Sequence, residues 1–306
     1  MKPRILVVAG PTAVGKTEYA IDLAKKENGE IVSLDSVQVY KYLDIGSAKP
    51  SKELLNEVPH YMIDEVEPSI NLNVKEFKDM AKKHIDDILS RGKLPILVGG
   101  TGFYIRAVLY DTAFLYEDEK EAETIRKYLE KELEDKGIDY IYERLQSVDK
   151  KSVEIIPKGN VRRVIRALQF YELHKIPIST HNEQERAKES PYDFTYYVLN
   201  TDRETLYRRI NDRVDKMIAD GLLLEEKKLI NMGLTKDLNS MSSIGYKELY
   251  DFCKVRDEIK DISLLDEDSK KELSLLIDTI KQTSRNYAKR QLTWFKSEKN
   301  VEWCQK

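Results

Sequence analysis

The run Gly10-Pro11-Thr12-Ala13-Val14-Gly15-Lys16-Thr17 matches GxxxxGK[ST], a spacing that builds a phosphate cradle. Its glycines let backbone N–H groups converge on an anion, Lys16 supplies a cation, and the Thr17 hydroxyl suits a Mg²⁺ ion on a phosphate. Gly10, Thr12, Ala13, Val14, Gly15, Lys16 and Thr17 are therefore candidate phosphate-binding residues. The loop does not say which phosphate compound it holds, and ATP or GTP is the default. An NTPase adds a strand ending in a metal-holding acid, yet the apolar run at residues 94–98 ends in Gly99-Gly100-Thr101-Gly102 with no carboxylate. Hydrolysis and phosphoryl transfer lose support. In their place stands a second glycine loop, which either exposes backbone to a ligand or only makes a tight turn.

Asp35 follows another short apolar run, Ile31-Val32-Ser33-Leu34. A carboxylate there suits a general base or a partner to a bound metal; it equally suits a turn or helix cap. Gln38 carries an amide that can read a base edge, although an exposed glutamine more often does nothing. The four histidines show no metal-ligand spacing, and Cys253 and Cys304 have no CxxC partner, so neither a zinc site nor a disulfide is expected.

These residues need elements to position them. Ile5-Leu6-Val7-Val8-Ala9 reads as a buried strand running into the phosphate loop, and residues 16–26 have helical periodicity. Strands at 31–34, 94–98 and 195–199, with an amphipathic helix at 74–90, give a parallel sheet flanked by helices. The expected fold is α/β, a P-loop NTPase-like core of residues 1–111 and 191–306. A charged, all-helical insertion occupies 112–190. Beyond Asp202 the chain reads as helices, with Leu206, Ile210, Val214 and Met217 in one stripe and Arg209, Arg213 and Lys216 on another face. Taken alone, Arg213 reads as a surface arginine.

With 51 Lys and Arg against 54 Asp and Glu, the net charge of −3 gives no global sign of nucleic-acid binding. The distribution does. Residues 158–175 hold five basic side chains and one acid, and residues 281–296 hold five and none. In the first patch Asn160, Arg162, Arg163 and Arg166 begin a helix and can grip phosphates, or form a solvated face. In the second, Arg285, Lys289 and Lys296 interleave with Tyr287, Trp294 and Phe295, which either stack on bases or anchor the helix. No apolar segment approaches the ~20 residues of a membrane span and none resembles a signal, so a cytoplasmic protein is expected. No long apolar surface stripe demands a partner, and a monomer is expected.

In combination GPTAVGKT, DSVQVY, GSAKP, Pro59-His60, GGTGFY, NVRRVIRAL, IGYKE and YAKRQLTWF, in this order across residues 10–295, resemble the bacterial tRNA dimethylallyltransferase (tRNA isopentenyltransferase) family. The resemblance implies that the loop holds the diphosphate of dimethylallyl diphosphate, with Mg²⁺ at Thr17. The acceptor it implies is N6 of adenosine 37, just 3′ of the anticodon, in tRNAs reading codons that begin with U. Asp35, Thr101 and Arg213 would then be catalytic, Asp35 as the base. Asp35, Ser36, Val37, Gln38 and Thr101 would meet the tRNA, together with Asn160, Arg162, Arg163 and Arg166. One departure stands out: Lys175-Ile176-Pro177 replaces the family's Gly-Lys-Pro turn, and a residue with a Cβ avoids the positive φ that glycine allows.

Overall fold

The strand that feeds the phosphate loop, β1 (Arg4–Ala9), is buried from Ile5 onward in the computed structural model, which describes residues 1–256 and 264–306. Ile5, Val7 and Ala9 join the core on one face of the sheet; Leu6 and Val8 join the core on the other. Covering both faces is why the strand reads as an unbroken apolar run. After it come α1 (Lys16–Glu27), β2 (Gly29–Ser33), α2 (Lys52–Leu55), β3 (His60–Tyr61), α3 (Val74–Ser90), β4 (Leu94–Gly99) and α4 (Gly102–Leu109). The helix at 74–90 forms as its periodicity predicts. Asn73 and Glu76 start it with reciprocal bonds of 3.0 Å, each side chain accepting the other's backbone N–H.

Four helices follow: α5 (Glu119–Val148), α6 (Lys150–Ile155), α7 (Val161–His174) and α8 (Ile178–Ala187). The chain then returns through β5 (Asp193–Asn200), α9 (Arg203–Ala219), α10 (Leu222–Asn231), α11 (Tyr246–Lys254), α12 (Glu267–Ser297) and β6 (Val301–Gln305). It divides into two units, residues 1–111 with 190–306, and residues 112–189. Ser190 falls in the first unit, not in the insertion, because its buried hydroxyl donates to the Leu109 carbonyl at 2.6 Å.

The sheet order is β3-β2-β4-β1-β5-β6, with every pairing parallel. The two edge strands are absent from the sequence reading. β3 is two residues long, and β6 is only half covered, so no apolar run marks either. Among the described residues no helix is long and apolar enough to cross a membrane.

In the second unit α5 is interrupted at Gly137, where φ is 79°, and its two arms bring Leu129, Ile141 and Leu145 against Val164, Ile165 and Leu168 of α7. Lys175 caps α7 in the left-handed region at φ 55°, its N–H donating to the Tyr171 carbonyl at 2.7 Å. A residue with a Cβ thus takes up the left-handed cap here, at a strain of roughly 1 kcal/mol.

Glu226 on α10 is fully buried beside Leu222, Leu223 and Leu229, and neither carboxyl oxygen has a hydrogen-bond partner among the described residues. Burial first, and the neighbouring Glu225 second, push its pKa from 4.5 up to about 8. An acid whose pKa is higher folded than unfolded contributes stability that is full below about 4.5 and is lost as the pH rises to about 8. Urea melts from pH 5 to 8 should therefore show wild-type stability falling more steeply than that of Glu226→Leu. The variant should be the more stable at pH 8 by a few kcal/mol, at ~1.4 kcal/mol for each pKa unit. Parallel pH profiles for the two proteins would refute this.

Candidate active site

The phosphate loop has the backbone its sequence requires. Gly10, Ala13 and Gly15 all have positive φ, at 149°, 63° and 92°, so the chain coils around a point above the first turn of α1. A Cβ on Gly10 would lie 2.6 Å from the Leu199 carbonyl oxygen, which fixes glycine there. Lys16 folds back over the loop, its ammonium donating to the carbonyls of Gly10 at 3.1 Å and Pro11 at 2.8 Å. Its pKa is lowered from 10.5 to about 8, by burial first and by the Arg213 guanidinium second, against the opposing pull of Asp35 and Glu18.

Sheet order brings the remaining loops alongside. β4 lies between β2 and β1, so Asp35 after β2, the glycine loop after β4 and the phosphate loop after β1 stand in a row. All three are at the carboxyl ends of the strands, where ligands bind in open parallel sheets. Gly99 permits the close approach, since a Cβ there would lie 2.8 Å from the Leu34 carbonyl oxygen. Asp35 Oδ1 accepts the N–H groups of Val37 at 2.9 Å and Gln38 at 3.3 Å. The carboxylate is thus both a turn residue and a wall of the site.

Two cavities meet at these loops. One, of about 640 Å³, is lined by residues 12–17 together with Asp35, Gln38, Arg209 and Arg213. The other, of about 350 Å³, has Ser36 and Val37 on one side and Ile210, Val214, Met217 and Ile280 on another. Thr12, Asp35, Arg213 and Tyr287 line both. Arg213 is no surface arginine: it donates to the Thr12 hydroxyl at 3.4 Å, and burial works against its charge. Thr101 begins α4, and its hydroxyl meets the Tyr287 hydroxyl at 3.1 Å. Burial, ahead of any charge, keeps the Tyr287 phenol protonated.

Some predicted residues have other partners. The Gln38 amide donates to the carbonyls of Ser47 at 3.3 Å and Ala48 at 3.2 Å, and its oxygen accepts from Ser33 at 3.3 Å, so it fastens the 44–48 loop. In the second unit Asn160 caps α7 by accepting the Arg163 N–H at 3.4 Å. Arg166 is held by both oxygens of Glu117, at 2.9 and 2.6 Å. Arg162 and Arg163 are exposed.

The basic and aromatic stripe of α12 splits. Phe295 is fully buried, while Tyr287 and Trp294 turn toward the glycine loop. Arg285 donates to Asn211 at 2.5 Å, and Lys289, Arg290 and Lys296 are exposed. Two residues not singled out from the sequence matter here, Gln291 and Glu225. The spacing of Tyr287, Gln291 and Trp294 along one helical face was the available signal for the first. The Glu225 carboxylate accepts the N–H groups of Asp44, Ile45 and Gly46 at 2.8–3.1 Å and the Tyr246 hydroxyl at 2.6 Å.

Among the described residues no cluster of three or more His, Cys, Asp or Glu side chains is placed to hold a metal. A Mg²⁺ ion that keeps much of its water and bridges phosphate oxygens needs only one or two protein oxygens. The Thr17 hydroxyl and the Asp35 carboxylate, lining one cavity, fit that requirement.

A family model described as IPP transferase matches residues 38–298. The match begins beyond the phosphate loop, so it owes nothing to a motif that many unrelated enzymes share. The tRNA dimethylallyltransferase of Acetivibrio thermocellus is 43% identical over 307 residues, covering 99% of this chain and 91% of that protein. That of Lachnoclostridium phytofermentans is 46% identical over 307 residues, covering 100% and 92%. The crystal structure of the full-length tRNA isopentenylpyrophosphate transferase from Bacillus halodurans is 39% identical, with a TM-score of 0.68 and coverage of 100% of this chain and 90% of that one. A eukaryotic dimethylallyltransferase captured acting on tRNA is 28% identical, with a TM-score of 0.77 and coverage of 99% and 74%. On the extent of the family match and the identity of these relatives, the chain belongs to the IPP transferase family.

Proposed function

We propose that this chain transfers the dimethylallyl group of dimethylallyl diphosphate to N6 of adenosine 37, 3′ of the anticodon, in tRNAs reading codons that begin with U. Diphosphate is released. One observation carries the reading: a cationic phosphate cradle and an apolar-walled cavity meet at a carboxylate, through Thr12, Asp35, Arg213 and Tyr287. A phosphoryl-transfer enzyme of this fold adds a metal-holding acid after a strand beside the loop, whereas β4 runs into Gly99-Gly100-Thr101-Gly102, and what stands beside the cradle is an apolar chamber. A prenyltransferase needs one for the allylic tail and the incoming base.

The chemistry follows from the placement. The adenine amine is a weak nucleophile because its lone pair is delocalised into the ring, so holding it against the allylic carbon supplies much of the rate. As N6 bonds to C1 of the dimethylallyl group, the C1–O bond breaks and its electron pair leaves on the diphosphate. The proton lost from N6 passes to the Asp35 carboxylate. Lys16, Arg213 and the N–H groups of the loop favour the negative charge that grows on the leaving group, and so act more strongly in the transition state than before it. Thr101, fixed by Tyr287, lines the smaller cavity beside Asp35. Mg²⁺ bound at Thr17 would add positive charge beside the departing diphosphate.

A single-stranded loop exposes the adenine edge that a duplex hides, and the target base must leave the stack to reach the site. The exposed Arg162 and Arg163 of the second unit are the side chains to grip the RNA backbone, and Arg166 joins them by exchanging Glu117 for phosphate. The protein works as a monomer in the cytoplasm, where Cys253 and Cys304 remain free thiols.

Protein, Mg²⁺, dimethylallyl diphosphate and an adenine-bearing anticodon stem-loop, incubated together, should yield RNA heavier by one prenyl unit. Labelled ATP should give no phosphorylated product; phosphate transfer without prenylation would overturn the assignment. Asp35→Asn keeps an oxygen for the Val37 and Gln38 N–H groups but removes the base. It should lower kcat by about 10²–10⁴-fold with tRNA affinity preserved, and an unimpaired turnover number would exclude Asp35 as the base. Lys16 binds diphosphate as a cation, so affinity for inorganic diphosphate should weaken as the pH rises through about 8. The loss should approach about tenfold for each further pH unit relative to Lys16→Met, whose calorimetric profile lacks this component.

A further inference from the structure

Gln291 has both polar atoms of its side chain committed to backbone, in two different loops. It lies on α12, 5% exposed, with Oε1 accepting the Thr12 N–H at 2.9 Å and Nε2 donating to the Gly100 carbonyl at 2.9 Å. Thr12 belongs to the phosphate loop and Gly100 to the loop after β4. The register of β1 with β4 ends at Ala9 and Gly99, so beyond the sheet edge the carboxamide takes over as the tie between these loops.

The surroundings are shaped to admit it. A Cβ on Gly100 would lie 2.3 Å from Gln291 Nε2, and a Cβ on Gly102 would lie 2.1 Å from the Trp294 ring. The glycines of this loop therefore make room for α12 as well as for a ligand. With Tyr287 on Thr101, the helix applies three consecutive contacts to one loop, and Gln291 extends the hold to the phosphate loop.

We propose that Gln291 is a positioning residue that sets the distance between the leaving-group cradle and the acceptor side of the site, resting on the prenyl-transfer reading above. Its oxygen occupies the Thr12 N–H, so Thr12 meets the diphosphate through its hydroxyl, the same hydroxyl that receives Arg213. The bridge needs a donor and an acceptor in one plane, at one side-chain length. Of the common side chains an amide satisfies this, and a protonated carboxyl of equal length does too. An ionised glutamate would keep the acceptor, lose the donor, and turn an oxygen against the Gly100 carbonyl.

The test uses Gln291→Met and Gln291→Glu in the full chain. Inorganic diphosphate affinity is measured by calorimetry, and transfer to an anticodon stem-loop by single turnover at saturating dimethylallyl diphosphate. Gln291→Met should keep diphosphate affinity within about threefold and slow transfer by about 10²-fold, the order expected of a misplacement near 1 Å. Gln291→Glu should be equally slow at pH 8 and, relative to wild type, recover by about tenfold toward pH 5.5 as protonation restores the donor. A role confined to packing would not produce that pH-dependent recovery. Transfer within about threefold of wild type in both variants, or a Glu variant with no recovery on acidification, overturns the inference while leaving the reaction in place. A wild-type chain that binds diphosphate yet transfers no prenyl group overturns the reading of the reaction and this inference with it.

Discussion

Lys16 and Arg213 are both half-buried where they face the site, and the Arg213 guanidinium makes the Lys16 charge more costly. For Lys16 the drop from 10.5 to about 8 corresponds to roughly 3 kcal/mol against its cationic form. An anion of high charge density placed between them removes that penalty, and does so best when the anion is most negative. Diphosphate becomes more negative as it separates from carbon, so the same pair of cations favours the transition state over the bound substrate. Asp35 and Glu18 pull the other way on both cations but do not outweigh burial.

Keeping two cations this close requires rigid support from distant parts of the chain. Lys16 comes from the start of α1, and Arg213 comes from α9, 197 residues later. The parallel sheet supplies the frame, since its strand order places three loops side by side at one edge. α12 supplies the back wall through Tyr287, Gln291 and Trp294. The 44–46 loop is gathered from a third direction by Glu225, which accepts three backbone N–H groups. A Cβ on Gly46 would lie 2.5 Å from the Tyr246 ring, so this loop too is packed to its limit.

The sequence disclosed the parts whose local chemistry is self-contained. The phosphate loop, the buried strands and the helix at 74–90 each carry their own signal in glycine placement, apolar run or amphipathic period. What it could not disclose depended on partners far along the chain. Gln291 is an unremarked polar residue until Thr12 and Gly100 stand beside it, and Arg213 looks like any surface arginine until α9 packs against the phosphate loop. β6 escaped because an edge strand that is partly exposed on both faces has no apolar run, its pairing with β5 deciding its conformation. The C-terminal stripe misled in another way: aromatic and basic residues interleave in sequence, yet helical periodicity sends Phe295 inward and leaves Lys296 exposed.

The helices that complete the polar site also wall the apolar cavity. On α9, Ile210, Val214 and Met217 line the smaller chamber, and Arg213 stands between them. On α12, Ile280 lines that chamber and Tyr287 lines both. Spacings of three, four and seven place all of these on neighbouring faces of their helices. A displacement of either helix therefore changes the grip on the leaving group and the shape of the acceptor chamber together. Binding energy gathered from the apolar walls can in this way be spent on aligning the bond that breaks, which is how contacts remote from the reacting atoms come to affect turnover and not affinity alone.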